Sequence, residues 1–427
     1  MTAAQRTELT YRYERWRALS AGVLESASIT FLLLIAVRWF HGGAIAKALT
    51  ATGGSCGLLL APWVVSQAEQ RQWPVARAAA RFAAAGAASF VVMAVVPVLP
   101  VFVLGAVVSM ACSTAVIPLL TQIYQENYPE TERGRRYSRT VMIRIATAAA
   151  FGQLAGMALS DQTHCVVLGR VFTGGMGHFR WLLLLFAGAF AFTSFCLDRL
   201  PSRPLVASGG THPFRALRYV RDDRLFRQTL ISWMFMGFAN LMMVPLRVEY
   251  LGNPRYGVTL HGAALSALAI AVLTDVLPNL ARLLLNPLWG WLFDRANFFA
   301  LRMALNAGFI AGILSFFTSG SLAGLIAGAI FYGVSIAGGD VAWSLWVTKF
   351  APPNRVADYM SVHTFFTGVR GVVAPMVAFQ LAASVPLPVM GWISAGLIAI
   401  GSGFLVPEIK FGRSARPAAA LVEEVSE

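Results

Sequence analysis

The chain has 427 residues, of which 57% are hydrophobic and only 13% charged, with a mean hydropathy of +0.64. A soluble chain carries about a quarter charged residues, so this composition excludes a water-soluble fold and calls for lipid as a second solvent. The net charge of +14 would suggest nucleic acid in a soluble protein; in a membrane chain it reflects Arg and Lys kept in cytoplasmic loops, and no nucleic-acid partner is expected.

Cys56, Cys112, Cys165 and Cys196 lie more than thirty positions apart with no CxxC pair, which argues against a disulfide framework or a metal site. Seventeen mostly polar residues precede the first apolar run, which is long enough to span and stay, so the start does not read as a cleavable signal.

A span needs about 20 predominantly apolar residues. By that rule the chain offers twelve, near 18–38, 43–66, 82–97, 100–122, 140–160, 181–198, 228–248, 263–292, 299–318, 321–348, 362–384 and 388–407. The third and fourth are parted only by Pro97 to Pro100, and the ninth and tenth by Ser319-Gly320-Ser321, so tight turns join both pairs. An even count puts both termini on one side. With that side cytoplasmic, 25 basic residues fall in cytoplasmic positions and six on the opposite side, the asymmetry that orients membrane proteins. Both termini are therefore expected in the cytoplasm of a multi-pass protein of the cell (inner) membrane.

The expected domains are a first six-helix bundle over 1–198, a cytoplasmic linker over 199–227, a second bundle over 228–407 and a cytoplasmic tail over 408–427. In the linker Phe214, Leu217, Val220, Leu225 and Phe226 alternate with Arg, which predicts an amphipathic helix on the inner leaflet.

Two loops carry a hidden repeat. Pro62, Glu69, Trp73, Arg77 and Ala79 find counterparts in Pro287, Asp294, Phe298, Arg302 and Ala304 at a constant offset of 225. Arg133 and Tyr137 match Arg355 and Tyr359 at an offset of 222. The chain therefore reads as two six-span halves of the same orientation, related by an axis along the membrane normal, with a substrate site at their interface.

The segment Gly290-Trp291-Leu292-Phe293-Asp294-Arg295, followed by Arg302, resembles the G-x-x-x-D-R…R loop motif of the major facilitator superfamily. The copy after span two is degenerate, with Val65, Glu69 and Gln70 in place of Gly, Asp and Arg. Twelve spans, tandem halves and a long central loop extend the resemblance over the whole chain. It implies an all-α integral membrane protein with twelve transmembrane helices in two halves, and a gating role for Gly290, Asp294, Arg295 and Arg302. The family's antiporter motif on span five is only partly met: Phe151-Gly152-Gln153-Leu154-Ala155-Gly156 lacks the proline. The related pattern from Gly368 to Pro375 lies on span eleven.

Ionisable residues within a span are costly and mark function by default. Helical rise places Glu25, Asp340, Arg282 and Arg370 about 12 to 18 Å in from the cytoplasmic edge. Arg144 is shallower and can snorkel, and Asp275 lies toward the outer surface. The resemblance implies that spans one, four, seven and ten line a central cavity. That makes Glu25 and Asp340 face it from opposite halves, with Trp343 and Trp346 beside Asp340, Asn240 on span seven and Gln122 on span four.

Two readings of the charges stand side by side. In one, Arg282 clamps an anionic group, as guanidinium suits carboxylate or phosphate, and Glu25 or Asp340 carries a coupling proton. In the other, Arg282 pairs with those carboxylates internally. His363, near the start of span eleven, reads as a helix-end hydrogen bonder. There is no nucleotide-binding loop and no nucleophile–base pair, so neither cofactor nor enzymatic chemistry is expected. The sequence points to a monomeric secondary transporter of a small organic solute, foremost an organic anion coupled to protons. The alternatives are a neutral sugar-like or drug-like solute, or a transporter-like sensor or scaffold that does not translocate.

Overall fold

The structure is a computed structural model that describes residues 1–161, 164–167, 170–204, 217–260, 262–346 and 356–406. Among these, eleven helices are long and apolar enough to cross a membrane, and a shorter apolar helix, Leu387–Gly403, is the twelfth.

Span one is a continuous helix from Ala3 to Arg38, so the polar leader belongs to the helix rather than preceding it. A capping box explains the early start: the Thr2 hydroxyl accepts from the Gln5 N–H at 3.2 Å and the Gln5 side chain accepts from the Thr2 N–H at 2.9 Å. Span two is Ala44–Gln70 and span three Val75–Val95. Span four is broken at Val116 into Leu99–Ala115 and Ile117–Asn127, where Pro118 can neither donate nor fit its ring against the preceding turn. Span five is Glu130–Leu159 and span six Phe179–Asp198, with a short hairpin of His164–Val167 against Arg170–Thr173 between them.

In the second half the spans are Arg224–Gly252, Ala267–Arg295, Phe298–Thr318, Leu322–Leu345, Val356–Leu381 and Leu387–Gly403. Span seven starts earlier than its apolar run because the Asp223 carboxylate caps it, accepting from the Phe226 N–H at 2.9 Å. Leu225 and Phe226 thus belong to span seven, and in the described part of the linker only Arg218–Asp222 is helical. Phe214 and the tail over 408–427 lie outside the described residues.

Two π-turns interrupt otherwise regular spans, Ala27–Phe31 in span one and Val272–Val276 in span eight. The second has an evident cause. Pro278 follows it and denies the helix one N–H while crowding the carbonyl four residues back. The turns face each other across the halves, and the Thr30 and Thr274 hydroxyls meet at 2.9 Å.

Glycines set how closely the halves approach. Span five lies against span eight at Gly152 and Gly156, where a Cβ would come within 2.5 Å of an Asp275 oxygen and 2.8 Å of the Ala271 Cβ. Span eleven lies against span two at Gly368 and Gly371, where a Cβ would crowd Leu59 and Ser55. Small residues at such contacts let membrane helices pack backbone to backbone. The two partial glycine patterns in the sequence are therefore both seams between the halves. Large apolar side chains such as Leu104, Trp181, Leu284 and Trp392 are exposed on the outside of the bundle, as lipid contact demands.

Candidate functional site

Spans one, five, eight and ten converge on a chain of four charges. Gly22 lets span one lie on span five, where a Cβ would stand 2.7 Å from the Thr147 Cβ. Gly333 lets span ten lie on Pro278 of span eight, where a Cβ would stand 2.7 Å from the proline Cα. On this frame Glu25 pairs with Arg144 at 2.9 Å and, through its other oxygen, with Arg282. Arg282 in turn donates from Nε to Asp340 at 2.5 Å and from Nη1 to the Asn279 amide oxygen at 3.3 Å.

The sequence thus selects three residues that the fold does bring together, Glu25, Arg282 and Asp340. It leaves out Arg144, which turns inward to Glu25 instead of snorkelling. Burial is deepest at Arg282, whose side chain is 7% exposed, and falls off on both sides of it, to 16% at Glu25 and 34% at Asp340. The four charges sum to zero, so each offsets the desolvation of its neighbour.

The other selected residues sit elsewhere. Arg370 does not join the cluster; its guanidinium donates to the Trp233 carbonyl and, at 3.3 Å, to the Thr367 hydroxyl, in room left by Gly237. Trp346 is fully buried and stacked on Phe226 at 5.6 Å, so it packs span seven rather than lining an opening. Trp343 is partly exposed, 5.5 Å from the His363 ring. Asn240 is buried and donates to the Met236 sulfur at 3.0 Å. Gln122 bonds Glu126 at 2.7 Å within its own helix.

His363 is fully buried among Trp233, Trp343 and Trp346, and neither ring nitrogen has a hydrogen-bond partner among the described residues. It is a packing residue inside the bundle, not a helix-end hydrogen bonder. Arg302 is buried with its guanidinium 3.8 Å from the Trp233 ring centroid, a cation–π contact in a dry setting. Gly290 lies within span eight, and the side chains of Asp294 and Arg295 lie outside the described residues.

Among the described residues, the polar bonds that join the halves run from the cluster to the end away from the termini. Beyond Glu25–Arg282 and Thr30–Thr274, Arg38 donates to the Leu265 carbonyl at 2.9 Å. Lys47 pairs with Glu249 at 2.7 Å, both nearly out of contact with solvent. Single lysines and arginines beyond a span read as orientation signals in a sequence; only the fold shows that Lys47 and Arg38 reach across to the other half.

No family model matches the sequence, and no curated protein matches it. Solved structures do match its fold. The nucleoside transporter NupG (D323A mutant) superposes with a TM-score of 0.72 at 13% identity, covering 93% of this chain and 99% of that one. The xylose transporter XylE from E. coli, in an inward-open conformation, gives 0.64 at 12%, covering 98% and 100%. The human organic anion transporter MFSD10 gives 0.61 at 15%, covering 95% and 100%. The chain therefore has the major facilitator fold: an all-α multi-pass membrane protein of two six-helix halves.

Proposed function

We propose that this chain is a secondary active transporter that moves a small organic anion, coupled to protons, by alternating access between its two halves, 1–198 and 228–407. The carrying observation is the placement of Arg282 at the joint of the halves, held by one well-buried carboxylate, Glu25, and one partly exposed carboxylate, Asp340. A guanidinium presents more than one N–H edge to carboxylates or phosphates. Glu25 fixes one, and a carboxylate or phosphate on the solute takes another as Asp340, more exposed than Glu25, swings aside. The bonds of Arg38 and Lys47 close the far end in this state, which corresponds to an inward-facing carrier if the termini are cytoplasmic. Arg302, with Gly290, Asp294 and Arg295, belongs to the gate and not to the solute site. Structural neighbours named as carriers of nucleosides, xylose and organic anions support transport but span solute classes, so the choice of anion rests on Arg282.

A second reading has its own observation: the four charges already cancel, which suits a neutral solute. A ligand-stabilisation screen on the purified protein separates the two, using benzoate, succinate, uridine, xylose and tetraphenylphosphonium. A ligand at a hundred times its dissociation constant stabilises the folded state by about 2.7 kcal/mol. The anion reading expects benzoate or succinate to stabilise wild type, to stabilise Asp340→Asn more strongly, and to fail with Arg282→Lys. Uridine or xylose stabilising all three alike overturns it. Counterflow of the stabilising compound in proteoliposomes then distinguishes a carrier from a protein that only binds.

A further inference from the structure

Asp275 stands in the π-turn of span eight, 1% exposed, on the seam between the halves. Its Oδ1 accepts from the Asn279 amide at 2.6 Å, and its Oδ2 has no hydrogen-bond partner among the described residues. Gly152 of span five seals that oxygen in, since even a Cβ there would come within 2.5 Å of it. Removing a bare carboxylate from water without a counter-charge is expensive, so the surroundings decide which form the site accepts.

The charged and titratable groups around it are on five helices. Glu25 on span one adds like charge, and Arg247 on span seven is the cation that senses it. No basic group forms an ion pair with Asp275 among the described residues. Arg247 instead lies over the Tyr332 ring of span ten at 3.9 Å. Arg144 of span five is engaged by Glu25, and Arg282, one helical turn beyond Asn279, by Glu25 and Asp340. Every nearby cation therefore has another contact.

Ser26 of span one donates its single hydroxyl proton to the Ala148 carbonyl at 2.9 Å, so it supplies no donor to the uncovered oxygen of Asp275.

We propose that Asp275, in place of Glu25 or Asp340, is the site that takes up and releases the transported proton, with Asn279 as its partner. The inference rests on the transport reading above and names its coupling residue. In the closed seam Asp275 is held as the neutral acid, with Asn279 on its other oxygen. When the halves part along this seam the acid meets water, gives its proton to it and becomes a carboxylate that Arg247 can approach. Asn279 carries the change onward, because its NH2 donates to Asp275 while its oxygen accepts from Arg282. Glu25 and Asp340 are tied to guanidinium in the meantime and keep their charge.

Two measurements on the full chain in phosphatidylcholine–phosphatidylglycerol bilayers test this with protons as the sole ligand. The first is pH-difference infrared spectroscopy of the protonated-carboxyl C=O stretch. Wild type and Asp340→Asn should both show a band that titrates, and Asp275→Asn should lose it. A band that persists in Asp275→Asn, one lost in Asp340→Asn, or no band in wild type at any pH overturns the assignment. If Asp275→Asn does not fold, Asp275→Glu takes its place: its band should move from the wild-type frequency, and an unmoved band overturns the assignment.

The second is the distance between spin labels at the exposed positions Ile45 and Leu322, on a background with the native cysteines replaced by Ser. Wild type should shift its distance distribution with pH and Asp275→Asn should not. A pH response of wild-type size in Asp275→Asn overturns the coupling role. Because neither readout needs a solute, failure of the anion screen at Arg282 and failure here are separate results.

Discussion

Span two on span four and span eight on span ten are the same pair of helices drawn twice, once in each half. Read back along the sequence, the offset of 225 that aligns Pro62 with Pro287 sets Thr50, Gly54 and Gly57 against Asp275, Asn279 and Arg282. In the first half these positions serve packing alone. Thr50 bonds its own helix at 2.8 Å, the Gly54 carbonyl accepts from Thr114 at 2.5 Å, and Gly57 lets Ala111 come close. In the second half the same register holds a buried acid, an amide and the central guanidinium. The backbone is duplicated and the chemistry is not. An inert half that supplies Glu25 and Arg144 to a loaded half makes the charge cluster depend on how the halves meet, which is what a carrier worked by relative motion requires.

The largest expected effect comes from removing the charge that ties the halves together. Glu25→Ala leaves Arg282 and Arg144 facing one another without the carboxylate between them, and breaking a buried ion pair from one side costs about 3–5 kcal/mol. Denaturant unfolding in detergent should register it. The double variant Glu25→Ala/Arg144→Ala should recover part of the loss, since one stranded cation is then gone. Strict additivity of the two substitutions would mean that the 2.9 Å pair does not hold the cluster.

Filling the inert half should cost less. Gly57→Val drives a branched side chain into the Ala111 backbone, and overpacking of this kind costs about 1–3 kcal/mol. The reading is overturned if thermal unfolding of Gly57→Val matches wild type. The meeting of the two π-turns is smaller still. A double-mutant cycle of Thr30→Val and Thr274→Val should return a coupling on the order of 0.6 kcal/mol, the usual size for hydrogen bonds between membrane helices. A coupling indistinguishable from zero would remove the hydroxyl bridge as a link between halves.

Much of this is legible in the amino-acid sequence. Apolar length locates twelve spans because a helix is the economical way to satisfy a backbone in lipid, and depth along a helix gathers Glu25, Arg282 and Asp340 because rise per residue is fixed. What depth does not carry is azimuth. Arg370 sits as deep as Glu25 by counting, yet it faces span seven, and Trp346 near Asp340 turns toward Phe226. Asp275 escapes a reading by depth for a related reason: its distance from the cytoplasmic edge suggests the outer surface, whereas a seam of glycines closes over it. The signal that finds it is in the sequence all the same, in the repeat offset read against charge, where Asp275 and Arg282 stand opposite Thr50 and Gly57.

The arginines of the loop repeat give the smallest test. Arg77 and Arg302 occupy equivalent positions, but Arg77 is an exposed side chain 3.8 Å from an equally exposed Asp198, while Arg302 is buried over Trp233. A surface pair in a polar setting contributes about 0–1 kcal/mol, and at this separation the lower end applies. Arg77→Ala should leave the unfolding midpoint of the purified protein close to that of wild type, and added salt should not widen the gap. A clear loss at Arg77 would show that the first-half loop carries a lock of its own, one that the degenerate residues Glu69 and Gln70 beside it have not abolished, and the contrast between an inert and a loaded half would then be confined to the spans.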